Sequence, residues 1–159
     1  IRYNPNKVTK KELLEILGNE AKESTICEDS IIIDKLDINS KYFKEGYYII
    51  QDEASALVAC SIGENIEEKY KILDTCAAPG GKSLHIASKY LNSTLISCDK
   101  YIHKLALIKD NIKRLGITNI DVKEQDATNM NSSFINNFDI VVCDVPCSGI
   151  GVIKLLINM

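Results

Sequence analysis

The chain has 159 residues, 45% hydrophobic, 26% charged and 6% aromatic, a profile that excludes collagen, coiled coil and disorder and leaves room for one domain with a small appendage. Nineteen Lys and Arg against 22 Asp and Glu give a net charge of −3, so the chain as a whole has no basic nucleic-acid footprint, and any polyanion must be held by a local patch. No apolar run approaches the roughly 20 residues of a membrane span and the first residues are polar, so the expectation is a cytoplasmic protein without a membrane partner.

The first forty residues read differently from the rest. Arg2, Lys7, Lys10 and Lys11 make the start basic, which is read as a solvated helix face in preference to an RNA contact. Thr9-Lys10-Lys11-Glu12 is a capping-box pattern ahead of Leu13, Leu14, Ile16 and Leu17, predicting a short helix that stops at Gly18. The β-branched run Ile31, Ile32, Ile33 predicts a strand, and Asn39-Ser40 a polar turn, so this stretch reads as part of a small α+β appendage.

From Lys71 a short apolar strand, a glycine-containing turn and an amphipathic helix alternate. Strands are expected at 71–75, 94–98, 121–124 and 139–143, helices near 81–90 and 101–115, and a helix stop at Gly116. Such alternation means an α/β fold with a parallel, doubly wound sheet and helices on both faces, here cut short after its fourth strand. The six cysteines lie in apolar segments and are read as reduced thiols. Cys27 and Cys60 are isolated and are read as small buried hydrophobes without function. Cys76, Cys98, Cys143 and Cys147 fall at or just past strand ends, but no C-x-x-C pair exists and no metal is expected. His85 and His103 are read as ordinary surface or partly packed helix residues.

The turn after the first of these strands, Cys76-Ala77-Ala78-Pro79-Gly80-Gly81-Lys82, is built of small residues and runs straight into a helix, so backbone amides can approach a ligand there. Gly81-Lys82-Ser83 matches the tail of a phosphate-binding loop, but Cys76 stands where the first glycine belongs and Pro79 removes a donor, which makes an NTPase the lesser alternative. Asp99 ends the second strand, where a partner for a ribose diol belongs. Asp126 follows the third, placed for an adenine amino group, although either acid alone could be a cap or a loop acid. A ribose partner combined with a loop poorly suited to pyrophosphate points to S-adenosylmethionine. Past the fourth strand, Asp144-Val145-Pro146-Cys147 puts a carboxylate and a thiol on the rim of the same cleft. A pyrimidine C5 carbon becomes nucleophilic once a thiolate adds at C6, and Lys82 would help supply the positive surroundings a thiolate needs.

These two blocks, Cys76 to Lys82 and Asp144-Val145-Pro146-Cys147-Ser148-Gly149, resemble the signatures of the Sun-type RNA (cytosine-5)-methyltransferases, most closely their bacterial small-subunit ribosomal RNA methyltransferase B subgroup. Phe43-Lys44-Glu45-Gly46, Gln51-Asp52-Glu53-Ala54-Ser55 and Asn111 to Gly116 are similar to further segments of that family. The resemblance implies a Rossmann-like methyltransferase domain over 43–159 behind an RNA-binding-type appendage over 1–42, acting on ribosomal RNA in the cytoplasm. It implies S-adenosylmethionine contacts from Cys76, Ala77, Ala78, Pro79, Gly80, Gly81, Lys82, Asp99, Asp126 and Asp144. Lys82 would act as an electrostatic aid, Asp144 would orient base and cofactor, and Cys147 would serve a covalent cycle. The family's attacking cysteine lies in a downstream Thr-Cys-Ser block that this sequence lacks, so the expectation is a fragment unable to methylate alone. The alternative is a non-catalytic fragment or pseudoenzyme that binds cofactor and RNA. Self-association through the exposed sheet edge is a further expectation.

Overall fold

The computed structural model describes residues 1–63 and 65–145. Pro146 to Met159, including Cys147, lie outside the described residues, as does Glu64. At the start, β1 (Arg2–Tyr3) is followed by α1 (Lys10–Leu17), β2 (Ala21–Glu23) and β3 (Ile31–Ile33). The capping box is realised in full: the Thr9 hydroxyl accepts from the Glu12 amide and the Glu12 carboxylate accepts from the Thr9 amide, while Gly18 takes the C-cap at φ 65°. Then come α2 (Lys41–Lys44), β4 (Tyr48–Ile49) and α3 (Glu53–Cys60). The strand β2 pairs antiparallel with β3, and β1 with β4, so the second ribbon bridges the expected boundary at residues 42 and 43. Val8, Leu13, Ile31 and Tyr48 form the small core beneath these elements. Burying a side chain such as Leu13 there contributes about 2–3 kcal/mol.

The larger layer is a four-stranded, all-parallel sheet of β5 (Lys71–Asp74), β6 (Thr94–Asp99), β7 (Ile120–Glu124) and β8 (Ile140–Val142), in the order β7-β6-β5-β8. The crossovers β5 to β6 and β6 to β7 run through α4 (Gly81–Lys89) and α5 (Ile102–Leu115). Ile72, Leu95, Ile120 and Ile140 share one row of the register and pack under Ala59, Ile86 and Tyr90, so α3 and α4 cover this face. Leu105 and Ile108 of α5 reach Val122 of the same face. The expected parallel sheet is thus met in strand order, while helices on both faces are not seen among the described residues, where α3, α4 and α5 pack on one. No helix of the described chain is long and apolar enough to cross a membrane.

The two layers are joined by polar groups as well as by apolar contact. Arg2 is 1% exposed, and its Nε donates to Gln51 Oε1 at 2.8 Å and its Nη1 to Ser88 Oγ at 3.0 Å. This corrects the reading of a solvated face for Arg2 alone, whose donors turn inward, while Lys7 and Lys11 are exposed as expected. Burial draws the Arg2 guanidinium down to about 10, which leaves it charged at neutral pH. Asn4 Nδ2 donates to the carbonyls of Gly46 and Leu115, and Arg114 Nη1 to those of Phe43 and Tyr48. The C-terminal end of α5 is therefore stitched to the segment around β4. Gly46 sits at φ 80°, and a Cβ there would lie 2.1 Å from the Arg114 carbonyl oxygen. Gly46→Ala is expected to cost more than about 3 kcal/mol, combining positive-φ strain with a backbone clash. Gly18→Ala, where nothing lies within 4 Å, should cost about 1 kcal/mol from φ alone, and chemical denaturation of the two variants checks the difference.

Candidate functional site

In an open parallel sheet, ligands bind beyond the strand carboxyl ends where neighbouring connections leave in opposite directions. Here that point is β5, whose successor β6 lies on one side while β8 lies on the other. The turn that follows β5 is held from three directions. The Thr75 amide donates to the Val142 carbonyl, the Ala77 amide to the Cys98 carbonyl and the Ala78 amide to Asp99 Oδ2. Gly80, at φ 105°, is the N-cap of α4, and a Cβ there would press on Leu84 and Ile108 at 3.1 and 3.3 Å. A side chain at Gly80 would thus be unfavourable in both conformation and space.

Under this turn lies Asp74, 1% exposed, a residue that sequence reasoning missed as a site component. Its Oδ2 accepts from the Ser83 hydroxyl at 2.6 Å and its Oδ1 from the Cys76 amide at 3.3 Å. Burial pushes its carboxyl above the ordinary value, against the pull of those two donors. Asp74 therefore ties the two ends of the turn together. No local pattern marks it beyond an acid ending an apolar strand.

The cleft above is lined by Ile50, Gln51, Asp52 and Ser55 on one side and by Ala77, Ala78, Pro79, Gly81, Lys82 and Asp144 on the other. Lys82 Nζ and Asp144 Oδ2 are 2.6 Å apart, so two predicted site residues 62 positions apart in sequence meet as an ion pair. Gln51 was not singled out from the sequence as a site residue. Its Oε1 takes the Arg2 hydrogen bond, while its buried Nε2 has no partner among the described residues and lies 3.7 Å from where a Gly81 Cβ would be. A buried, unpaired amide donor beside a turn of main-chain donors favours a ligand that brings an acceptor.

Asp99 is 8% exposed and accepts from the Ala78 amide with one oxygen and from the Tyr101 amide with the other. A carboxylate offers about four acceptor positions, so both oxygens retain capacity for a diol. Asp126 stands one strand further along, where Lys100 reaches its Oδ2 at 2.9 Å and Thr128 donates to Oδ1 through amide and hydroxyl. Those groups hold its carboxyl down at about 2, and in this state it caps its loop. The Cys76 thiol is pushed up by burial, so it is an inert member of the turn and not a primed nucleophile.

One further sequence expectation is corrected. His85 is 2% exposed, and its Nε2 lies 2.9 Å from Asp29 Oδ2. Burial, with Arg2 and Lys89 nearby, pushes the imidazole down to about 4 and keeps it neutral. Cys27 and Cys60, distant in sequence, have their sulfurs 3.8 Å apart. A cavity of about 670 Å³ lies on that side of α4 and not at the strand ends. The strand-end cleft is nevertheless the candidate ligand site, because the sheet topology, the turn amides and the charged pair converge there.

An open parallel sheet with a small-residue turn over its switch point, and acids at successive strand ends, defines a Rossmann-like methyltransferase domain. A solved methyltransferase homolog protein from Pyrococcus horikoshii shares this fold with a TM-score of 0.83 at 22% identity, over 96% of this chain and 52% of that one. Residues 63–157 match the family described as 16S rRNA methyltransferase RsmB/F, and the chain belongs to that family. It is 39% identical to a probable ribosomal RNA small subunit methyltransferase B of Bacillus subtilis, across 97% of this chain and 35% of the relative. It is 36% identical to a tRNA (cytosine(72)-C(5))-methyltransferase of Pyrococcus horikoshii, across 70% of this chain and 28% of the relative. The chain thus spans about a third of the length of such relatives.

Ser83→Ala would remove the closer of the two donors to Asp74. The expected loss is about 1–3 kcal/mol at neutral pH. Because burial raises the folded-state value of Asp74, its ionisation opposes folding as pH rises above the ordinary carboxyl range, and losing Ser83 raises it further. The destabilisation should therefore shrink at about pH 4, which denaturation at the two pH values checks.

Proposed function

We propose that this chain carries the cofactor-binding part of an S-adenosylmethionine-dependent RNA (cytosine-5)-methyltransferase acting on ribosomal RNA. The observation that carries the reading is the convergence of the turn over β5, Gln51, Asp99 and the Lys82–Asp144 pair at one switch point. Support comes also from family membership and from a solved relative, NSun6 from Pyrococcus horikoshii with SFG, an S-adenosylmethionine analogue, at 35% identity and TM-score 0.52 over 61% of this chain and 25% of that one.

In this reading the Gly81 amide that opens α4 and the Gln51 side-chain amide receive the amino-acid end of the cofactor. Asp99 takes the ribose hydroxyls, and Asp126 takes the adenine amino group after releasing Lys100. S-adenosylmethionine supplies an electrophilic methyl group on a sulfonium. Lys82 and Asp144 set the charge beside it, with Asp144 also orienting the base, while Cys147, outside the described residues, serves the covalent cycle at cytosine C6. Residues 1–42 act as an RNA-binding-type appendage and 43–159 as part of the methyltransferase domain. Among the described residues β8 is an edge strand, with Val141 56% exposed, and this edge is the companion site proposed for self-association.

A calorimetric titration with S-adenosylmethionine, run beside ATP and beside Asp99→Ala, tests the reading. Saturable binding of the methyl donor alone is expected, weakened about tenfold or more, or 1.4 kcal/mol, by the substitution. Since Asp99 also holds two backbone amides, Asp99→Asn and circular dichroism separate lost recognition from lost structure. Binding of ATP that disappears in Lys82→Ala would instead favour the phosphate-loop alternative. A single-turnover assay on cytosine-containing RNA then tells whether the chain alone forms 5-methylcytosine. Light scattering tests self-association, and a monomer at every concentration would refute it.

A further inference from the structure

The large cavity opens where the appendage meets α4, and Asp29, Cys60, His85 and Lys89 are among its walls. Cys27 and Asp29 come from the segment between β2 and β3, Cys60 ends α3, and His85 and Lys89 stand one turn apart on α4. Two separate stretches of chain therefore deliver metal-ligating atoms to one point, and α4 brings polar groups up beside them. The thiol sulfurs of Cys27 and Cys60 are 3.8 Å apart and Cys60 Sγ is 3.7 Å from Asp29 Oδ2. One ligand atom from each of the three residues lies within 4.8 Å of the others. A tetrahedral zinc ion with Zn–S of about 2.3 Å and Zn–O of about 2.1 Å requires a sulfur–sulfur distance of about 3.8 Å and a sulfur–oxygen distance of about 3.6 Å.

We propose that Cys27, Cys60 and Asp29 form a binding site for zinc or a similarly thiophilic divalent cation, at the junction between the appendage and the methyltransferase domain. On binding, each thiol gives up its proton to solvent and its sulfur lone pair to the ion, with no change of oxidation state. Two thiolates and a carboxylate bring three negative charges to the two positive charges of the ion. Lys89 supplies the balance: its Nζ is 2.9 Å from Asp29 and 4.0 Å from Cys60 Sγ, and Glu28 holds it on the outer side at 2.7 Å. His85 Nε2, 2.9 Å from the same Asp29 Oδ2 that Cys60 Sγ approaches, fixes the carboxylate in place, as outer partners of metal ligands do. The cavity provides the entry path and leaves the fourth position to water. The expectation of no metal rested on spacing along the chain; these ligands are brought together by the fold across 33 residues.

The test uses the reduced, metal-free 159-residue chain titrated with cobalt(II) and then zinc(II). The expected result is one equivalent of cobalt with thiolate-to-metal charge-transfer and tetrahedral d–d bands, which zinc bleaches by displacement. Cys27→Ser and Cys60→Ser should each weaken binding about tenfold or more, while Cys143→Ser leaves it unchanged. Circular dichroism accompanies each variant, and the wild-type spectrum decides the question even where a variant fails to fold. Absence of thiolate–cobalt bands in the wild-type chain, or their survival in the double variant C27S/C60S, would overturn the proposal. So would finding that the reduced chain reoxidises to a Cys27–Cys60 disulfide under a disulfide oxidant at the same rate with and without zinc.

Discussion

The burial of α4 on every side is the constraint from which the rest of the structure follows. Six consecutive residues, Ser83 to Ser88, are buried, so the helix cannot leave its polar side chains to solvent as a surface helix does. Ser83, Ser88 and one nitrogen of His85 are met by protein, while His85 Nδ1 has no partner among the described residues. Ser83 donates to Asp74, His85 meets Asp29, and Ser88 accepts from Arg2 while donating to the His85 carbonyl. Asp74 belongs to the sheet, whereas Arg2 and Asp29 belong to the appendage. One helix is thereby obliged to satisfy two layers at once, and its N-terminus, pinned by Asp74 and Gly80, becomes the fixed edge of the ligand cleft.

That arrangement separates two kinds of polar group. At the strand ends, carboxylates are held in place by backbone amides with acceptor capacity left over, and the Gln51 amide keeps a donor, which is what a ligand site needs. On the opposite flank of α4, charges are paired among themselves: burial alone would raise the Asp29 carboxyl, but hydrogen bonds from His85 and Lys89 outweigh it and hold it well below the usual range. The Cys60 thiol, by contrast, is pushed up to about 12 by burial, and it stays protonated while no cation arrives. Gln51 touches both regions, since its oxygen serves Arg2 and its amide faces the turn.

Much of this was legible from residue order. The alternation of strand and helix located all four parallel strands, and Thr9, Glu12 and Gly18 marked the first helix because capping is a local interaction that its own residues specify. The turn, Lys82, Asp99 and Asp144 could be placed at strand ends because a βαβ unit dictates which ends share a face. What stayed hidden was every polar contact that depends on distant segments. Arg2 read as a surface charge because its acceptors lie 49 and 86 residues away, and His85 read as unremarkable because its partner is 56 residues upstream. In α4 only Leu84, Ile86 and Ala87 are apolar, so hydrophobic periodicity could not show that the intervening serine and histidine positions are buried as well.

The burial of Arg2 also bears on how the chain could be divided. The first fifty residues own a small core of their own, yet the second residue of the sequence is a wall component of the neighbouring layer. A shortened protein beginning after β4 would leave Ser88 and the oxygen of Gln51 without their donor, and would open the flank of α4 to water. The layer that holds the candidate cleft would then expose His85, which Asp29 of the lost segment meets. The parallel sheet and its helices thus depend on the amino-terminal layer for two buried polar contacts.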